Sequence, residues 1–287
     1  MYERIVAGTD FSPTATIATD RAAMLAQRLE AELILVHAGA DGGDQLDALA
    51  RKYGARSAAI PAGNPAEVLI NEAERLGADL IAVGSVGMTG GKRFLLGSVP
   101  NKVSHHAQLD LLIVKTDPPP KEVRDYAGIM VGTDGSPTAM RAVGAACDLA
   151  ARLGTTPTIV TVYQPLTAQE EEQLRADPGD PVAQWGSSRS VTDIPDEFRW
   201  RISDASHAED VLDRAATIAE KHGVPVDVRA VEGRAAEALL TLAETEAFDL
   251  MVVGSVGMSG TKRFMLGNVP HKVSHHAPTD VLILHTA

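Results

Sequence analysis

Two stretches of this chain, 79–115 and 249–285, are one 37-residue segment written twice: aligned without a gap at an offset of 170, 25 of 37 positions are identical. Self-similarity of this length means that each copy carries its own structural unit, and it has to be read before any local pattern. An earlier pair, IVAGTDFSPTA (5–15) and IMVGTDGSPTA (129–139), repeats at an offset of 124. The difference, 170 − 124 = 46, is length that the second copy carries between these two blocks. The boundary falls in TDPPPKEVRDYAG (116–128), where three consecutive prolines and a charged run separate the copies. The halves are therefore 1–120 and 121–287, with the extra length placed at 166–205.

Within each half the apolar pattern alternates between strand and helix. RIVAGTD reads as a buried strand, followed by Ser12 and Pro13 as N-cap and first helical residue. Ala18, Ala22, Leu25 and Leu29 then recur at i, i+4, i+7 and i+11, one face of a helix, and Ala142, Ala146, Leu149 and Leu153 repeat that face. The strand ELILVHA, a short helix over 45–53, the strand ARSAAIPA and a helix opened by Asn64 and Pro65 come next. DLIAVG, a glycine loop, a helix from Ser98 and DLLIVK complete the half. Alternating elements of these lengths predict an α/β fold with a parallel sheet and helices on both faces.

Composition limits the function classes. With Lys plus Arg at 26 and Asp plus Glu at 38, the formal net charge is −12, the wrong sign for coating a nucleic-acid backbone, so an anionic ligand must be held locally. No uncharged apolar run approaches the ~18 residues of a membrane span, and the amino terminus lacks a basic segment followed by an apolar run. The single cysteine, Cys147, cannot form an intrachain disulfide and reads as a small core residue. A cytoplasmic protein without nucleic-acid or membrane partners is expected. The 166–205 segment holds both tryptophans, Trp185 and Trp200, with nine acids and four bases; it reads either as a surface excursion or as a lid or docking element.

The strand DLIAVG leads through Gly84 and Gly87 to Gly97 and Ser98 at a helix start, and Gly254, Gly257, Gly267 and Asn268 repeat the arrangement. Parallel α/β sheets bind ligands at the carboxyl ends of their strands, and a helix N-terminus offers free N–H groups and the positive end of its dipole to an anion. Glycines allow close approach and positive φ, and Ser98 is expected to cap the helix and offer its hydroxyl. The plainer alternative is a glycine-rich turn with an ordinary serine cap. Asp10, and Asp134 in the second copy, end the first strand and should sit beside this loop, either capping the next helix or accepting hydrogen bonds from ribose hydroxyls or an adenine amine.

The spacing Gly, two residues, Gly, nine residues, Gly, Ser, together with GSVPNKVSHHA before a strand, resembles the signature of ATP-binding universal stress proteins. The resemblance covers both halves outside 166–205, so the chain is similar to a tandem universal stress protein. It implies two five-stranded domains of strand order 3-2-1-4-5, Rossmann-like and akin to adenine nucleotide alpha hydrolases, apposed through their last strands, with surface left for a homodimer. It also implies ATP, ADP or AMP as ligand, with Mg²⁺ entering through the phosphates and water. Asp10 would contact the ribose; Val36 to Ala38 would line the adenine pocket; Gly84, Gly87, Gly97, Ser98 and Val99 would hold the phosphates. In the second half Asp134, Gly254, Gly257, Gly267 and Val269 match, while Asn268 replaces the Ser or Thr and Gln164 stands at the adenine edge. The match is therefore incomplete there, which leaves nucleotide binding by the second half open, and Gly97→Ala is expected to weaken nucleotide binding more than Gly267→Ala.

The pairs Lys92, Arg93 and Lys262, Arg263 read as outer-phosphate contacts or as solvated loop residues. Adjacent histidines, His105 with His106 and His275 with His276, point about 100° apart on a helix and cannot readily share a metal; they are expected to serve the helix dipole at its C-terminus. Walker A, G-x-S-x-G and G-x-G-x-x-G patterns are absent, as is a nucleophile with its base. The expected function is a nucleotide-dependent binding module in stress response with an unidentified protein partner. A slow ATP hydrolase or nucleotidyl-transfer enzyme and a scaffold with vestigial pockets are the alternatives.

Overall fold

The computed structural model describes residues 2–60, 62–86, 96–116, 125–164, 205–257 and 266–285. The first half runs β1 (Arg4–Gly8), α1 (Pro13–Leu29), β2 (Glu32–Ala38), α2 (Gly43–Tyr53), β3 (Arg56–Ile60), α3 (Pro65–Arg75), β4 (Leu80–Gly84), α4 (Ser98–His106) and β5 (Asp110–Val114). The second runs β6 (Ile129–Gly132), α5 (Pro137–Leu153), β7 (Thr158–Tyr163), α6 (Ala205–Lys221), β8 (Asp227–Glu232), α7 (Ala235–Thr245), β9 (Leu250–Gly254), α8 (Asn268–His276) and β10 (Asp280–Leu284). The ten strands form one sheet in the order β3-β2-β1-β4-β5-β10-β9-β6-β7-β8. Each half thus has the order 3-2-1-4-5, parallel throughout, and the halves meet where β5 and β10 pair antiparallel, with Leu282 opposite Leu112.

The central strands are continuous Val/Ile/Leu runs because both faces are covered. Alternation divides them: Ile5, Ala7 and Leu35 face a core shared with α1, α2, α5 and α6, whereas Val6, Ile34 and Val36 face one shared with α3, α4, α7 and α8. β5 and β10 are apolar on both faces and could not remain edges in water, so their pairing removes the exposure. The actual edges, RSAAI and DVRAVE, are polar and exposed at alternate positions. Ser12 caps α1 through Oγ, accepting from the Ala15 amide at 3.1 Å; Ser136 caps α5 by accepting from Ala139 at 3.2 Å. Cys147 is buried, and burial pushes its thiol up to about 11, as befits a core residue.

The seam is fastened by equivalent acids. Asp280 accepts from the Lys115 amide at 2.7 Å and the Tyr126 hydroxyl at 2.8 Å. Asp110 accepts from the His285 amide at 2.8 Å and the Tyr2 hydroxyl at 2.9 Å. Among the described residues no helix is long and apolar enough to cross a membrane.

Candidate functional site

The carboxyl ends of β1 and β4, and of β6 and β9, carry the residues singled out by the repeat, and the second half shows how they meet. Asp134, Gly254, Gly257, Gly267, Asn268 and Val269 line one cavity of about 230 Å³, with Gly132, Val160 and Val162 among its walls. Asp134, Val162, Asn268 and Val269 also line an adjoining cavity of about 480 Å³, together with Gln164, His207, Arg234 and Lys272. The Asp134 carboxylate spends one oxygen on the Ser136 amide at 3.0 Å and turns the other toward the loop, where a Cβ on Gly257 would stand 2.5 Å from it. In the first half Asp10 Oδ1 accepts from the Ser12 amide at 3.0 Å and its hydroxyl at 2.5 Å. The capping serine, not the aspartate, closes the helix; the aspartate braces that serine.

The glycine loop departs from the expected cap. Gly97 and Gly267 are the N-caps of α4 and α8, and Ser98 and Asn268 are the first helical residues, both exposed and neither making a side-chain cap bond. The Gly97 and Gly267 amides are already used, donating to Ser85 O at 2.7 Å and Ser255 O at 2.8 Å. Those bonds tie the returning loop to the strand exit so closely that a Cβ on either glycine would lie 3.3 Å from the serine carbonyl. None of Gly84, Gly97, Gly254, Gly257 and Gly267 has a positive φ, so close approach is what demands glycine at the tight positions. The first-turn amides of Ser98 and Val99, and of Asn268 and Val269, have no carbonyl within the helix to reach. Pro100 and Pro270, next in line, have no N–H to satisfy. Ser85 and Ser255, both buried, are anchors that the sequence reading passed over.

Val36 lies buried at the end of β2, its carbonyl accepting from the Thr9 amide at 2.9 Å; Ala38 is half-buried beside it. His37 between them bonds the Thr9 carbonyl through Nδ1 at 2.8 Å and packs against Phe11 with the rings tilted by 39° and their centroids 4.4 Å apart. His207, Arg234 and Lys272 were also missed; the one legible signal was Arg234 at the position where the first half has the capping Asn64. Gly87, Lys92, Arg93, Lys262, Arg263, Trp185 and Trp200 lie outside the described residues.

The dipole role expected of the histidines fails for His275. Burial, then the neighbouring His271, His276, Lys115 and His105, push it down to about 4, so at neutral pH it carries no charge. It packs against His271, and His271 against His105 across the seam, with centroids 4.5 and 5.6 Å apart. The cation at the end of α8 comes from the other half: Lys115 Nζ donates to the Ser274 carbonyl at 3.0 Å. Among the described residues no group of three or more His, Cys, Asp or Glu side chains is placed to hold a metal.

This geometry, a strand exit, a tied glycine loop and a helix N-terminus duplicated about a seam, has relatives. The family model for the universal stress protein family matches residues 1–62, 45–115 and 126–285. The chain belongs to the universal stress protein family. Universal stress protein Rv1636 of Mycobacterium tuberculosis strain H37Rv is 34% identical over 165 residues, 56% of this chain and 97% of that protein. A universal stress protein from Archaeoglobus fulgidus DSM 4304 superposes with a TM-score of 0.64 at 18% identity, covering 99% of each chain, which makes the fold the Rossmann-like one of this family, in tandem. A universal stress protein solved in complex with cAMP is 31% identical, covering 57% of this chain and 100% of that one, with a TM-score of 0.41.

Proposed function

We propose that this universal stress protein is a cytoplasmic adenine-nucleotide-binding module whose nucleotide state alters its choice of protein partner. The observation that supports this reading is the second-half cleft, where Asp134, Gly257 and the first-turn residues Asn268 and Val269 line a single cavity. Phosphate oxygens would accept from the Asn268 and Val269 amides, stabilised by the dipole of α8. A carboxylate repels phosphates, so Asp134 suits the ribose hydroxyls, and Val160 and Val162 offer an apolar wall to the base. In the first half Asp10, Val36, Ala38, Ser98 and Val99 would act in the same way. Mg²⁺ would arrive with ATP, held by phosphates and water.

The test is mass spectrometry of ligand released from freshly purified full-length protein, followed by isothermal titration with AMP and ATP. At least one equivalent of adenine nucleotide is expected. Protein that carries none and shows no heat with millimolar nucleotide would leave only a scaffold. Turnover in single-turnover assays, abolished by Ser98→Ala, would replace the binding role by an enzymatic one.

A further inference from the structure

The pseudo-twofold at the seam relates Asp280 to Asp110, Tyr126 to Tyr2 and, on the two long helices, Arg21 to Ala145. At Asp280 the arrangement is complete. Arg21 Nε stands 2.9 Å from the carboxylate, its guanidinium lies 4.3 Å over the Tyr126 ring, and Asp280 is 5% exposed. Asp110 keeps the tyrosine hydroxyl and the backbone amide, but the helix opposite offers Gly144 and Ala145. What Arg21 fills on one side is on the other an open groove of about 720 Å³, with Asp110 in its wall and apolar flanks from Leu109, Met140 and Ile218.

A carboxylate withdrawn from water is costly unless a cation or good donors compensate. Asp110, half-buried, has two neutral donors and among the described residues no cation within ion-pair distance; burial pushes its carboxyl above the ordinary value, and the more distant charge of Arg141 offsets this only in part. Of the other charges at the groove, only Arg141 is a cation that acts on Asp110, and it does so from beyond ion-pair distance. Arg141 donates to the His285 carbonyl, Asp79 accepts from the Glu3 and Arg4 amides at 2.8 Å, and Asp148 pairs with His222 at 2.6 Å.

We propose that this groove binds an alkyl guanidinium, a small molecule that supplies to Asp110 and Tyr2 what Arg21 supplies to Asp280 and Tyr126. The planar fork donates to the carboxylate and lies on the phenol ring, and the aliphatic chain rests on Met140 and Ile218. A chain of net charge −12 favours the approach of a cation, and the volume is within the range of small-molecule sites. The site is separate from the nucleotide cleft, so either reading can fail alone.

Agmatine titrated into the full chain is expected to bind with one-to-one stoichiometry. Asp110→Asn should weaken binding about tenfold or more, as loss of a charge-assisted contact does. Ala145→Arg should refill the groove in cis, raise the thermal midpoint and abolish binding. Butylamine, which lacks the fork, should bind several-fold more weakly. Absence of heat with wild-type protein at about 10 mM agmatine, the weak end for one charged contact and a short chain, would overturn the proposal, as would unchanged affinity in Ala145→Arg. Should Asp110→Asn fail to fold, the Ala145→Arg result decides alone.

Discussion

The two halves share a sheet order, a loop and a helix start, yet they solve the first strand exit differently. In the first, Phe11 sits in the left-handed region at φ 60 and lays its ring on His37 and against Gly42. In the second, Gly135 takes that place at φ 80, Thr161 replaces His37, and α6 brings Val211 to within 2.9 Å of where a Gly135 Cβ would be. α6 has 17 residues against 11 in α2, and the longer helix does the filling that the phenylalanine ring does opposite. Beside the cleft the exchange continues. Asn64 caps α3 and Lys102 pairs with Glu67 at 2.7 Å, whereas Arg234 leaves α7 uncapped, 3.6 Å from Glu237, and Lys272 lines the outer cavity. A repeated backbone can therefore keep its loop and helix start while the rim shifts from paired, capping residues to cavity-lining ones.

The comparison is most easily broken at the glycines ending β4 and β9. A Cβ on Gly254 would meet Thr138 Cγ2 at 2.9 Å and the Ala139 amide at 3.1 Å, while the nearest atom to one on Gly84 is 3.4 Å away. Gly254→Ala should cost ~1–3 kcal/mol by overpacking and Gly84→Ala well under ~1 kcal/mol, read as urea midpoints. Equal losses would show that the second half is not the more tightly closed. Gly97→Ala and Gly267→Ala should weaken nucleotide binding alike in titration calorimetry, because both Cβ atoms would crowd an equivalent serine carbonyl. A larger loss for Gly97 would restore the special role first expected of Ser98.

Arg234→Asn should stabilise by ~1 kcal/mol by creating the cap that Asn64 provides opposite, and should weaken nucleotide binding several-fold if the rim cation is used. Stabilisation without a binding change would assign Arg234 to the surface. A smaller effect concerns pH. His275 falls from an ordinary 6.5 in the unfolded chain to about 4 when folded, so as pH drops through that window only the unfolded state takes up this proton and stability declines. His275→Gln should flatten the fall in urea midpoint between pH 6.5 and 4.5; an unchanged slope would mean that His275 titrates normally. Smallest of all, Ser98→Ala and Asn268→Ala should each change stability by less than ~0.5 kcal/mol, since neither residue is a cap.

Much of the fold was legible because the repeat and the alternation of Ile5, Val6 and Ala7 depend only on local periodicity. Ser before Val-Pro has the pattern of an N-cap, whereas Gly97, its amide donating to the Ser85 carbonyl, takes the N-cap position one residue earlier. The His105–His271 contact and the Arg21–Asp280 pair were not legible, since both arise only when β5 and β10 come together from opposite ends of the chain. His207 and Lys272 carry no local pattern that separates a cavity wall from a solvated helix face.

The proposed nucleotide cradle is tested most directly by amide NMR of the full chain titrated with AMP and, separately, with adenosine. The Ser98, Val99, Asn268 and Val269 amides should move downfield with AMP and stay nearly still with adenosine, because only the phosphate reaches them. Equal shifts with both ligands, or none with AMP at saturation, would contradict a phosphate seat at these two helix starts.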